Sequence, residues 1–254
     1  MSIEERLVAV AENQQKVYDA GYSKGKSEGG GDNWYDTFWD AYQQNGGRKD
    51  YMQAFRGVGW RGTTFKPKHN MTVTSGNYFL YASGVASDPI DLIALEEKGL
   101  IIDFSQCTSG LEAAFSQSNS LVTVGTVDLS SFKGKLNSTF STSRNLQKIK
   151  LLKVNEGITT FQTVFNNCTS LTEIEFDGVI AASINFASSP LNKKSIVSIV
   201  EHLSTESGQT LALKKSAVNK AFGINVDDES TYPEGSEYFI LRHSRDNWTF
   251  TYAS

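Results

Sequence analysis

The chain has 254 residues with 24 Lys and Arg against 28 Asp and Glu, a formal net charge of −4 at pH 7. Such a balance exerts no general pull toward nucleic acid or an anionic membrane. No run approaches the roughly 18 consecutive apolar residues of a membrane-spanning helix, and the acidic opening Met1-Ser2-Ile3-Glu4-Glu5 lacks the apolar core of a secretion signal.

Residues 1–31 read as an N-terminal helix running into a Gly-rich linker. Ile3, Leu7, Val10, Gln14, Val17 and Gly21 alternate spacings of four and three, a short heptad seam interrupted by Gln14. Ile3, Leu7, Val10 and Val17 are the candidate oligomer seam, which would give a dimer or trimer coiled coil. A plain tether ending in the linker "SEGGGD" accounts for the same residues, and both readings stand.

Residues 32–66 predict a small aromatic helical module. Trp34, Tyr35, Phe38, Trp39 and Tyr42 recur at helical spacing, Asn45-Gly46-Gly47 ends that helix, and Asp50 is placed to cap a second one. Trp34, Trp39 and Trp60 form a second candidate contact group, since aromatic clusters stack on sugars or bases. Packing between short helices is the commoner use of such residues.

Residues 67–190 carry the dominant signal. Short strand candidates at 71–74 and 78–81 and the apolar "PIDLIALEEKG" make an N-terminal cap. Shifting the following chain by 25 residues then superposes apolar positions. Leu111, Leu136, Phe161 and Phe186 form one column, and Phe115, Phe140 and Phe165 a second. Leu121, Leu146 and Leu171 form a third, then Val124, Ile149 and Ile174, then Ile102, Val127 and Leu152. Phe104, Leu129, Val154 and Val179 complete the set, beside a small polar column of Ser118, Ser143 and Cys168. The spacing predicts one short strand per unit, with Leu111–Phe115 as a helical or 3₁₀ turn on the opposite wall. A unit of this size cannot bury its apolar face alone, so stacking follows. The expected fold class is therefore mixed α and β, a solenoid of 25-residue repeats.

The phrases "AAFSQSNSLVTV", "STFSTSRNLQKI" and "TVFNNCTSLTEI" resemble BspA-type leucine-rich repeats, whose unit reads F-x-x-C/S-x-S-L-x-x-I. The resemblance covers residues 100–190 and, less specifically, the tail to 254. It implies a leucine-rich-repeat solenoid. The front of the chain, "ERLVAVAENQQKVYDAGYSKGK" and "YDTFWDAYQQNGGRKDYMQAFRGVGW", resembles the phage and prophage tail-associated kind. Bacterial surface members usually begin with a secretion signal, so its absence favours the phage version.

Residues 191–254 read as a C-terminal capping segment. A helix capped at Asn192 places Ile196, Ile199, Val200 and Leu203 on one face. "TLALKK" predicts a strand, "SAVNKAFG" a helix with Ser216 as N-cap and Gly223 as stop, and "NWTFTYAS" a final alternating strand.

The chemistry-bearing residues form no catalytic pattern. His69, His202 and His243 show no metal-ligand spacing, no GxxxxGK[ST] phosphate loop occurs, and no cofactor is expected. Asp227-Asp228-Glu229 lacks the alternating oxygen ligands of a calcium loop. Cys107 and Cys168 fall in different columns and read as single buried thiols. Arg144, Lys148, Lys150 and Lys153 make a basic streak that reads as a solvated face.

The expectation is a non-enzymatic phage virion or tail protein, a receptor-binding or fibre component made in the host cytoplasm and carried on the particle. The N-terminal helix would hold other virion proteins, and the repeat surface a host protein or glycan. Neither nucleic acid nor membrane insertion is expected. Arg144, Asn145, Asn166 and Asn167 are the candidate contact face, expected to face water on neighbouring turns. A structural virion decoration or assembly role, and a bacterial surface adhesin, are the alternatives.

Overall fold

The computed structural model describes residues 34–35, 66–67, 71–73, 89–99, 101–161 and 163–254, all within the unit Trp34–Ser254. The seam Ile3, Leu7, Val10 and Val17, the strand candidate at 78–81, and Trp39 and Trp60 lie outside the described residues; of Trp34 only the backbone is described.

The chain first forms β1 (Trp34–Tyr35), β2 (Lys66–Pro67), β3 (Met71–Thr72), β4 (Ile90–Asp91), α1 (Leu92–Glu97) and β5 (Ile102–Asp103). The middle holds β6 (Leu121–Asp128), β7 (Gly134–Lys135), β8 (Lys148–Val154), β9 (Ile158–Thr160), β10 (Glu173–Gly178) and β11 (Ile184–Phe186). Then come α2 (Lys193–Glu201), β12 (Gln209–Lys214), α3 (Lys215–Phe222), α4 (Glu237–His243) and β13 (Trp248–Ala253). Among the described residues every strand pairing is parallel. The larger sheets run β10-β8-β6-β4 and β11-β12-β13.

Between β6 and β8 the register is regular. Thr123 pairs with Lys148, Val124 with Ile149 and Val127 with Leu152. Apolar side chains therefore meet their equivalents one layer on, and Leu121, Leu146 and Leu171 are all buried at 2 % exposure or less. On the opposite wall Phe115, Phe140 and Phe165 stack nearly face to face, with centroids 5.4 and 5.9 Å apart. Each such ring adds a large apolar burial to the shared core.

The small polar column has a physical reason. Ser143 Oγ donates to the Phe115 carbonyl at 2.6 Å, and Cys168 Sγ to the Phe140 carbonyl at 3.1 Å. A short hydroxyl or thiol latches each layer to the one before, giving a second donor to a carbonyl that already accepts a backbone N–H within its own turn. Both cysteines are buried, and burial pushes the Cys168 thiol up to about 12.

The expected fold class needs correction. The chain is a mixed α/β structure of short parallel sheets with four helices among the described residues, and it is not described by a leucine-rich-repeat solenoid of uniform 25-residue units. The 25-residue offset holds from Glu173↔Lys148 to Ile174↔Ile149 and then slips by one, so that Phe176 faces Leu152 and Gly178 faces Val154. Val179 is accordingly not in the column of Val154, and it is Ile180 beyond it that is buried. Phe161 bridges to Ile184, and Phe186 stacks on Phe165 at 4.6 Å, one column away from its expected place. Farther on the offsets lengthen, with Ile184 on Leu211 and Leu211 on Phe250. Insertion and deletion at turns, invisible to a fixed period, set these layers.

Two local expectations also change. Leu111–Phe115 is not helical: it opens a chain of turns that runs on to Gln117, in which Ala113 sits at φ 57° and Gln117 at φ 60°. Their N–H groups donate across layers, to the Asn137 and Ser141 carbonyls, instead of up a helix. Ser216 lies inside α3, whose N-cap is Lys214 with no side-chain cap bond; Gly223 does end it in the left-handed conformation. Asn192 caps α2 as expected, its Oδ1 accepting from Ser195 N–H at 2.9 Å.

Candidate interaction surface

Two polar surfaces flank the core, and they differ in how their side chains are engaged. The first is the outer face of the sheet formed by β6, β8 and β10. Lys148 pairs with Glu173 at 2.8 Å, Lys150 with Glu96 at 2.6 Å, Lys153 with Asp128 at 3.2 Å, and Lys194 with Glu175. The basic streak expected to be merely solvated is thus neutralised within the sheet, apart from Arg144.

Glu96 does most there. Burial opposes its charge, but Lys150 and the Thr126 N–H, at 2.9 Å, outweigh that and hold its carboxyl below the ordinary 4.5. This carboxylate covers a β6 N–H where β4 has ended. A Cβ at Gly125 would come within 2.2 Å of Glu96 Oε2, so the bare backbone there makes room for the carboxylate. Asp128 behaves similarly: burial raises it, while Ser130 and Lys153 hold it lower overall.

The second surface is the edge of stacked turns. Ala113, Ser138 and Thr163 repeat one left-handed position, and Gln117, Thr142 and Asn167 repeat another, at φ between 57° and 63°. For residues other than glycine this conformation is unfavourable unless the surroundings fix it, with Asn the best tolerated. Here cross-layer bonds fix it, for Thr142 N–H donates to the Asn166 carbonyl at 2.7 Å and Gln117 N–H to the Ser141 carbonyl at 2.8 Å.

Arg144, Asn166 and Asn167 are exposed on this edge. The Thr142–Asn166 bond brings the Arg144 turn beside the Asn166–Asn167 turn. Among the described residues, none of these three side chains makes a hydrogen bond or ion pair. Asn145 is exposed beside them, but its Nδ2 donates to the Asn119 carbonyl at 2.7 Å, a latch between layers. Gln117 was not singled out in sequence, yet it is exposed in the column of Thr142 and Asn167, successive repeat-length spacings being the signal that places it there.

His69 lies outside the described residues, and the two described histidines form no site. His202 Nδ1 donates to the Ser198 carbonyl at 2.7 Å and His243 Nδ1 to the Phe239 carbonyl at 2.8 Å, each at its helix end. Asp228 caps the turn Glu229–Thr231, and Asp227 pairs with Lys215 at 2.7 Å. Among the described residues no group of three or more His, Cys, Asp or Glu side chains is arranged to hold a metal, and no helix is long and apolar enough to cross a membrane.

Comparison of this chain with protein-family models, curated proteins and solved structures finds no match.

Proposed function

We propose that this chain is a non-enzymatic attachment protein of a phage tail or virion surface, which meets a host protein or glycan through the edge of stacked turns. The observation that carries the surface is the contrast in engagement. The lysines of the sheet face are matched by carboxylates, whereas Arg144, Asn166 and Asn167 present unengaged donors and acceptors on a backbone fixed from both sides. Polar groups held in place by their scaffold lose little entropy on binding, which favours recognition. The phage assignment rests on the resemblance of the front of the chain to the phage and prophage tail-associated kind. Residues 1–31 would then hold the particle.

The test uses the labelled full chain on a panel of bacterial cells and on a glycan array. The double variant Arg144→Ala, Asn166→Ala should bind at least tenfold more weakly, about 1.4 kcal/mol, at an unchanged melting temperature. Undiminished binding sinks this face. Absence of binding to every cell and glycan by the parent chain leaves a structural role on the particle.

A further inference from the structure

Strand edges are open hydrogen-bonding templates, and folded proteins close or blunt them. Along the sheet of β4, β6, β8 and β10 this chain does so with side chains. On one side α1 continues where β4 ends, and Glu96 accepts from Thr126 N–H at 2.9 Å. On the other, α2 lies along β10, and Ser195 Oγ and Ser198 Oγ accept from the Ile174 and Phe176 N–H groups at 2.9 and 3.0 Å.

β13 has no such closure. It ends the sheet β11-β12-β13, pairing with β12 over all six residues from Trp248 to Ala253. Among the described residues nothing pairs its outer edge, and no side chain bonds the backbone of Thr249 to Ala253. The usual blunting devices are missing as well: "NWTFTYAS" contains no charge, proline or glycine. Trp248, Phe250 and Tyr252 turn toward the core and Thr249 and Thr251 toward solvent, the alternation of a strand ready to be paired.

We propose that the outer edge of β13 pairs antiparallel with β13 of a second copy of this chain. Self-pairing suits this segment because an uncharged strand meets its own copy without like-charge repulsion. A two-fold axis perpendicular to the sheet closes the assembly and leaves every residue on its own face. Thr251 then lies opposite the partner's Thr251, Phe250 beside the partner's Tyr252, and Thr249 beside the partner's Ala253. The aromatic residues form one continued row on the core side. A single strand pair of this length covers less than the ~1,200 Å² of a stable interface, so the dimer is weak, with a dissociation constant on the order of ten to a few hundred micromolar.

Sedimentation equilibrium of the full chain, from about 1 to 500 µM, reads the association directly. The parent should show a monomer–dimer equilibrium, and Thr251→Lys, with a charge on the edge, should weaken it at least tenfold. Thr249→Lys is the second variant should the first fail to fold. Independently, Thr251→Cys should form a disulfide-linked dimer on mild oxidation, whereas Thr210→Cys, on the paired strand β12, should not. The native thiols do not confuse the readout, since Cys107 and Cys168 are both buried. A parent that stays monomeric throughout overturns the proposal. So does a dimer that keeps its affinity in a folded lysine variant and gives no Thr251→Cys cross-link, because association then lies elsewhere, at residues 1–31 or on another partner surface.

Discussion

The sheet around β8 and the sheet ending in β13 follow the same parallel pairing rule but are finished differently. The first has layers in near-constant register, a stacked phenylalanine wall and edges closed by Glu96, Ser195 and Ser198. The second has layers of unequal length, Phe250 and Tyr252 only partly covered on its last strand, and an open edge. Uniform layers allow each residue to satisfy its neighbour's backbone. Once layer lengths diverge, helices and loops take over that task, and at the final strand nothing among the described residues does.

The largest expected effect tests whether the regular part is the stiffer one. Leu146 is 0 % exposed in the most constant column, so Leu146→Ala should cost about 2–5 kcal/mol. Phe250, half-covered at the end of the chain's last sheet, should cost less on truncation, under about 2 kcal/mol, because little cavity forms where water enters. Chemical denaturation of both variants measures the difference. Equal losses would abolish the distinction between the two sheets.

Next comes the edge closure. Glu96→Ala leaves the Thr126 N–H without its acceptor and Lys150 without its partner, a loss of about 1–3 kcal/mol for a charged hydrogen-bond acceptor. The linkage has a definite sign. The folded pKa of Glu96 is lowered, so its contribution is complete above the ordinary 4.5 and fades as pH falls through the folded value. As pH falls below 4.5 and through the lower folded value, the parent should lose stability toward the Glu96→Gln variant, and their melting curves should converge. A constant gap down to the acid limit would assign the loss to packing instead.

The layers were legible in sequence where a column needs one residue type for one reason. Leucine, isoleucine and phenylalanine columns mark burial, and Ser118, Ser143 and Cys168 mark a latch that only a short donor can make. The slip at Phe176 was not legible, because Asp177 and Phe176 differ by one position and only the closed register shows which faces Leu152. Glu96 was not legible either. Its partners Thr126 and Lys150 lie 30 and 54 residues away, and no local pattern joins them. On the candidate face, exposure was readable from the polar positions between columns, but the Asn145 latch was not, since amide side chains look alike until a carbonyl is seen in reach.

A smaller effect separates Asn145 from Asn167. Asn145→Ala removes a cross-layer hydrogen bond and should cost about 0.5–1.5 kcal/mol. Asn167 sits at φ 57°, where Ala is strained by roughly 1 kcal/mol but Gly is not. Asn167→Ala should therefore destabilise and Asn167→Gly leave stability nearly unchanged or slightly raised. If Ala and Gly lower the melting temperature alike, the amide has a packing role beyond its backbone.

The smallest effect is expected at Arg144, and it decides most about the surface. Its guanidinium is exposed and engages no described residue, unlike Lys148, Lys150 and Lys153 in the same streak. Exposed side chains without partners change stability by no more than about 0.5 kcal/mol when truncated. Arg144→Ala should therefore melt with the parent, while Lys150→Ala, which strands Glu96, should melt measurably lower. A drop at Arg144 comparable to that at Lys150 would mean that the arginine serves the fold. It would then leave the turn edge without the unengaged charge on which recognition depends.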